Sequence, residues 1–260
     1  MYRIVVGKGR VMKKALVGLV AIAALVGTPA LAADIPVKAP STPAPAYNWT
    51  GFYLGANAGW GWDETNFNYN VTGATPATAS SGGLPGPSPF RFTPDGPVAG
   101  GTIGYNWQFS PSWAFGLEAD WDWTNIWGAI ACTPAGTFSC QSKLSDLGSG
   151  RARFGYVWNE FFIYATGGAA WGNVTNQTVS NPGVTAGTSS TKVGYMAGAG
   201  IEAPIFQTLT MKFEWLYYDL GTASYVVDNP TTQSVSAREW GSTVRAGFNW
   251  RFNWAGPARY

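Results

Sequence analysis

The chain of 260 residues contains no histidine. That absence removes the usual general base near neutral pH, the commonest zinc ligand and the Ser-His-Asp triad. Charge is scarce as well: Asp, Glu, Lys and Arg make up 12%, against about 25% in ordinary soluble domains. Two cysteines are too few for a zinc site without histidine to help. No apolar run reaches the roughly 20 residues that a membrane-crossing helix needs. What is abundant is rings and glycine, with 14 Trp, 12 Tyr, 14 Phe and 34 Gly. Mean hydropathy is −0.03. Little charge, many rings and neutral hydropathy suit strands that alternate apolar and polar residues.

The start reads as an export leader over residues 1–32. Met12-Lys13-Lys14 supplies a positive segment, Ala15 to Val26 an apolar one, and Ala30-Leu31-Ala32 a small-residue cleavage site before Ala33. Met12 is a candidate initiator. Cleavage would remove Arg3, Lys8, Arg10, Lys13 and Lys14 and no acid, leaving 16 − 5 = 11 bases against 14 acids, a net charge of −3. Such a balance argues against a nucleic-acid partner. Residues 33–48 carry Pro36, Pro40, Pro43 and Pro45 and read as an extended periplasmic linker. In an oxidising compartment Cys132 and Cys140 are a candidate disulfide; two reduced thiols in a loop are the alternative.

From residue 49 to 252 the sequence falls into eight period-two segments: 51–62, 98–109, 113–123, 147–158, 161–172, 192–203, 208–218 and 242–252. Segments of about ten residues match tilted membrane-crossing strands. Tight turns at Ser110–Ser112, Trp158–Glu160 and Pro204–Gln207 alternate with long loops at 63–96, 124–143, 173–191 and 219–238. Short periplasmic turns and long outer loops are the outer-membrane pattern. With that polarity, Trp107, Trp113, Trp158, Trp250 and Phe252 fall at the inner rim. Trp60, Trp62, Trp121, Trp123, Trp171 and Trp215 fall at the outer rim. Small residues such as Ala119 and Ala165 lie between. Two aromatic girdles around an apolar band, with lipid as partner, require a closed barrel, because an open edge in hydrocarbon leaves backbone groups unpaired. The expected fold is all-β, an eight-stranded antiparallel up-and-down barrel with residues 253–260 as a short tail.

Five stretches carry a family resemblance: YNWTGFYLGANAGWGW at 47–62, GYNWQ at 104–108, YATGGAAWG at 164–172, FEWLYYDLG at 213–221 and VRAGFNWRF at 244–252. The chain resembles the OmpA-like barrel domain of small alphaproteobacterial outer-membrane proteins, the surface-antigen type of rhizobia and Brucella. The resemblance implies a porin-like, surface-exposed outer-membrane barrel. Arg245, Gly247, Trp250 and Phe252 also look like the last-strand signal read by the barrel-assembly machinery. No peptidoglycan-binding domain is expected after the barrel.

The lumen-facing positions hold the charge. Acids Glu118, Asp120, Asp122, Glu202 and Glu214 face bases Arg151, Arg153, Lys192, Lys212, Arg245 and Arg251. Paired carboxylates can serve acid–base chemistry, but in a narrow lumen near-balanced charge is expected to be paired, with Glu118 and Asp120 opposite Arg151 and Arg153. The leading expectation is a structural barrel with a charge-plugged lumen. A narrow porin for ions or small solutes is the alternative. Surface haem capture, adhesion by the loops and enzymatic activity rank below both, and no cofactor, metal site or catalytic residue is expected.

Overall fold

The computed structural model describes residues 47–71, 90–131, 138–180, 183–228 and 232–252. The export leader, most of the linker, Cys132 and the tail lie outside the described residues. Nine strands run in chain order: β1 (Gly51–Val71), β2 (Phe90–Phe92), β3 (Asp95–Ser110), β4 (Trp113–Ala131), β5 (Phe138–Trp158), β6 (Phe161–Ser180), β7 (Gly183–Pro204), β8 (Leu209–Asp228) and β9 (Thr232–Phe252). Each long strand is antiparallel to the next, and β1 pairs with β9, which closes the sheet.

The ninth strand does not change the barrel. Trp62 lies opposite Asp95 and Thr65 opposite Phe92, so β2 and β3 meet β1 in one register. They form a single stave broken at Thr93–Pro94, where proline has no N–H to donate. The Pro94 carbonyl still accepts the Asp63 N–H at 2.8 Å.

The long outer loops expected from sequence are the larger correction. Strand pairing runs on through much of 63–71, 124–131, 138–143, 173–180, 183–191 and 219–228. There the outward positions carry hydrogen-bonded polar pairs: Thr175 with Ser189 at 2.9 Å, Gln177 to Gln141 at 2.8 Å and Asn173 to Asp146 at 2.6 Å. Such pairs hold a ladder in water as rings hold it in lipid. Below them, the ten steps from Phe52 to Trp62, at about 3.4 Å each and a tilt near 40°, rise roughly 26 Å, close to the ~25 Å apolar band of such barrels. The extensions therefore stand above the membrane.

The turns at the other end are short. Asn159 sits at φ 55°, a left-handed conformation that its short polar side chain tolerates. Bulges on β5, between Leu144 and Asp146, and on β8, between Asp219 and Gly221, reverse which residues face inward above the outer girdle.

Candidate functional site: the filled lumen

The lumen is stacked in layers. At the periplasmic floor, the backbone before β1 brings Tyr47 and Trp49 under the barrel. Trp49 is fully buried against Phe162, with ring centroids 5.3 Å apart, and its backbone N–H donates to Gln108 at 2.8 Å. Arg251 belongs here and outside the expected ion-pair network. Its guanidinium lies over the Tyr47 and Trp49 rings, 5.1 and 5.0 Å from their centroids, and donates to the Asn48 carbonyl at 2.9 Å.

Above the floor sits the ion layer. Arg151 Nη2 lies 2.5 Å from both Glu118 and Asp120. Arg153 reaches Glu118 at 3.1 Å and Glu202 at 2.6 Å. Lys212 lies between Glu118 at 3.1 Å and Glu214 at 3.4 Å. Arg245 joins Asp120 at 2.8 Å, Glu214 at 3.1 Å and Asp122. All nine side chains are buried. Period-two spacing puts the acids of β4 on one inward face, and the register sets Glu118 directly opposite Arg151. The network thus holds five acids and four bases, not five and six, because Lys192 is absent from it too. Lys192 faces inward on β7 but stands above this layer, and its Nζ donates to the Thr222 carbonyl at 3.1 Å.

Sequence reasoning missed the tyrosines that complete the layer. Tyr53 donates to Glu118 and Tyr164 to Glu214, each at 2.8 Å. Arg153 stacks 3.9 Å above the Tyr164 ring centroid. Both rings cross over neighbouring strands: a Cβ on Gly104 would lie 2.3 Å from Tyr53, and one on Gly200 would lie 2.5 Å from Tyr164. A tyrosine on the otherwise small, polar face of a strand was the available signal.

The next layer is apolar. Val98, Ile126, Leu144, Leu147, Met196 and Leu216 pack with Tyr218 and Leu220 across the lumen. The walls meet: Ile126 of β4 reaches Gly61 of β1, and Leu144 of β5 and Leu220 of β8 converge on Gly172 of β6. Higher again, beyond the outer girdle, Glu239 and Asp63 form a buried carboxyl pair joined by a side-chain hydrogen bond. Thr65 at 2.7 Å and Asn176 at 2.9 Å also donate to Glu239. A last apolar group, Phe67, Tyr225, Val235 and Cys140, closes the top. Cys140 is disulfide-bonded.

The outer wall is the inverse. Trp60, Trp62, Trp107, Trp113, Trp121, Trp123, Trp158, Trp215, Trp250 and Phe252 are exposed, and Trp171 is half-buried. Arg245, Gly247, Trp250 and Phe252 lie on β9, with Trp250 and Phe252 outward and Arg245 in the ion layer.

A closed antiparallel barrel with rings and aliphatics outside and its charges inside is a protein of the outer membrane. The chain belongs to the outer membrane protein β-barrel domain family, which matches residues 19–252. It is 35% identical over 246 residues to a 31 kDa outer-membrane immunogenic protein of Brucella melitensis, covering 90% of this chain and 98% of that protein. It is 31% identical to a 22 kDa outer membrane protein of Rhizobium leguminosarum bv. viciae, covering 76% and 74%. Among solved structures, Neisserial surface protein A aligns over 78% of this chain and 98% of its own, at 14% identity and a TM-score of 0.37.

Proposed function

We propose that this outer-membrane barrel is a structural, surface-exposed envelope protein whose lumen is sealed rather than conducting. The observation that supports this best is the apolar layer above the ion pairs. Ions cross an apolar constriction only if water fills it, and the inward side chains of β3 to β8 pack there into one buried apolar cluster that disfavours water. The ion pairs below act as a second seal, because separating them strands a buried charge. The porin alternative needs both seals to open. On this reading the protein is not an enzyme: its buried carboxylates are held by guanidinium, ammonium and phenol groups, with no approach for a polymer or lipid substrate. Assembly through the last-strand signal on β9 and removal of the leader before Ala33 belong to the same proposal.

The test is planar-bilayer recording of the purified protein. No steady conductance is expected from the wild type. A steady current that changes when Arg153 or Asp120 is neutralised would refute the sealed lumen.

A further inference from the structure

We propose that the cleft between β7 and β8 above the membrane is a strand-pairing site for one extended segment of an extracellular partner protein. In the membrane the two strands pair continuously, from Pro204 opposite Thr210 to Tyr195 opposite Asp219. Above that point, among the described residues, Gly183–Gly194 pairs only with β6 and Gly221–Asp228 only with β9. Among the described residues β4 also loses its partner on one side above Trp127, where Phe90–Phe92 pairs only with β1, but the other neighbouring long strands stay joined beyond the outer girdle.

The parting is built into the sequence. Gly221 takes φ 75°, and the Asp219 carboxylate holds the kink by accepting the Gly221 N–H at 2.9 Å and Arg238 at 2.7 Å. This turn leads β8 away from β7 and keeps it on β9. At the base of the cleft the backbones still touch: a Cβ on Gly194 would lie 1.8 Å from the Asp219 carbonyl oxygen, so only glycine fits there. The Tyr195 and Tyr217 rings, 6.2 Å apart, sit just below at the outer girdle. The cleft therefore opens to extracellular water, not to lipid.

Two facing edges have unusual chemistry for a surface. Along each, alternate N–H and C=O groups point into the cleft with no strand partner among the described residues. Natural edges are normally defended by charge, proline or shortness. Residues 186–194 read AGTSSTKVG and residues 220–227 read LGTASYVV; neither has a proline, and Lys192 is their one charge. Lys192 spans the gap to the Thr222 carbonyl. Apart from Lys192 and the buried Leu220 and Tyr225, the residues along both edges are small or β-branched, and Val193 and Val226 are well exposed.

These features select the occupant. A backbone that bonds to both edges must be a single extended segment, because main-chain hydrogen bonds supply the affinity in strand addition. A second barrel presents its edges as part of a broad sheet, which cannot enter between two strands. Small, uncharged side chains suit the walls. An acidic residue opposite Lys192 adds charge complementarity and releases the lysine from Thr222.

The probe is a labelled peptide with the sequence of residues 186–194, which can pair with the β8 edge as β7 does lower down. Its binding is followed by fluorescence anisotropy on the full chain refolded in detergent micelles. Saturable binding is expected. The same peptide N-methylated at alternate residues should bind at least about tenfold more weakly, a difference of about 1.4 kcal/mol. A Lys192→Cys/Thr222→Cys variant, bridged across the cleft by a short reducible bis-thiosulfonate cross-linker, is locked and should lose binding and regain it on reduction. Absence of saturable binding, equal binding of the methylated peptide, or full binding to the locked variant would each overturn the assignment.

Discussion

Arg151 shows what a buried charge demands. Its one terminal nitrogen bridges Glu118 and Asp120 at 2.5 Å each, with Glu214 at 3.9 Å. Arg151→Met would leave those acids short of a cation in a layer that water does not reach. The expected loss is about 3–5 kcal/mol, the range for breaking a buried pair. The double variant Arg151→Met/Glu118→Gln should lose less than the two single losses added, since it removes charge from both sides. Urea midpoints from the heat-modifiable gel shift measure both. The Asp63–Glu239 pair makes a different prediction, about pH. It stands above the membrane, and burial, followed by the facing Glu239 carboxyl, pushes Asp63 well above the usual carboxylate range. Folded Asp63 then keeps a proton that the unfolded chain has already lost. Stability should fall as pH rises from the ordinary carboxylate range towards that raised value. Asp63→Asn cannot ionise and still donates, so its pH profile should be flatter; equal profiles would show that the two carboxyls do not share a proton. Single residues were the least legible level. Lys192 and Arg251 do face inward as their parity requires, but they lie above and below the ion layer, and no period in a sequence reports height to within one turn of a tilted strand.

The strands themselves were legible where lipid and lumen impose opposite chemistries on alternate residues. Trp113, Phe115, Leu117, Ala119 and Trp121 could only be one face of β4, and Glu118, Asp120 and Asp122 the other. Above the girdle that contrast disappears. Outward Thr175 and Gln177 and inward Asn176 and Thr178 are all polar, so β6 there reads as loop although it pairs up to Ser180. The bulges were hidden for a related reason. A bulge shifts the inward set by one residue, and it is the bulge between Leu144 and Asp146 that lets Leu144 and Leu147 both face the lumen. Those two leucines make the apolar layer testable at this scale. Leu147→Ala leaves a cavity where walls meet, with an expected loss of about 2–5 kcal/mol. The same replacement at Leu117, on the lipid face and exposed, should change the urea midpoint far less. Similar losses at both positions would mean that Leu147 is not packed in a closed lumen.

For the whole molecule, the order of the layers matters more than any one of them. From the periplasm outward come the Trp49 floor, the ion pairs, the apolar layer and the carboxyl pair under a second apolar group. Seals in series fail only together, because an unbroken water path must cross every one. Trp49→Ala would remove the floor, at about 3–5 kcal/mol for a buried tryptophan, and expose Arg251 to the periplasm. Yet the ion and apolar layers would remain above it. The variant should therefore unfold at lower urea and still hold current at baseline in a planar bilayer. Adding Leu147→Ser and Leu216→Ser hydrates the apolar layer, Phe67→Ser and Val235→Ser hydrate the apolar group at the top, and Arg153→Gln unties the pair to Glu202 and half-frees Glu118. Conductance should appear only in the combined variant, and it should favour cations, since the acids already outnumber the bases in the ion layer and the last change removes one base more. A steady current from Trp49→Ala alone would identify the floor as the sole barrier and leave the upper layers as packing without a sealing role.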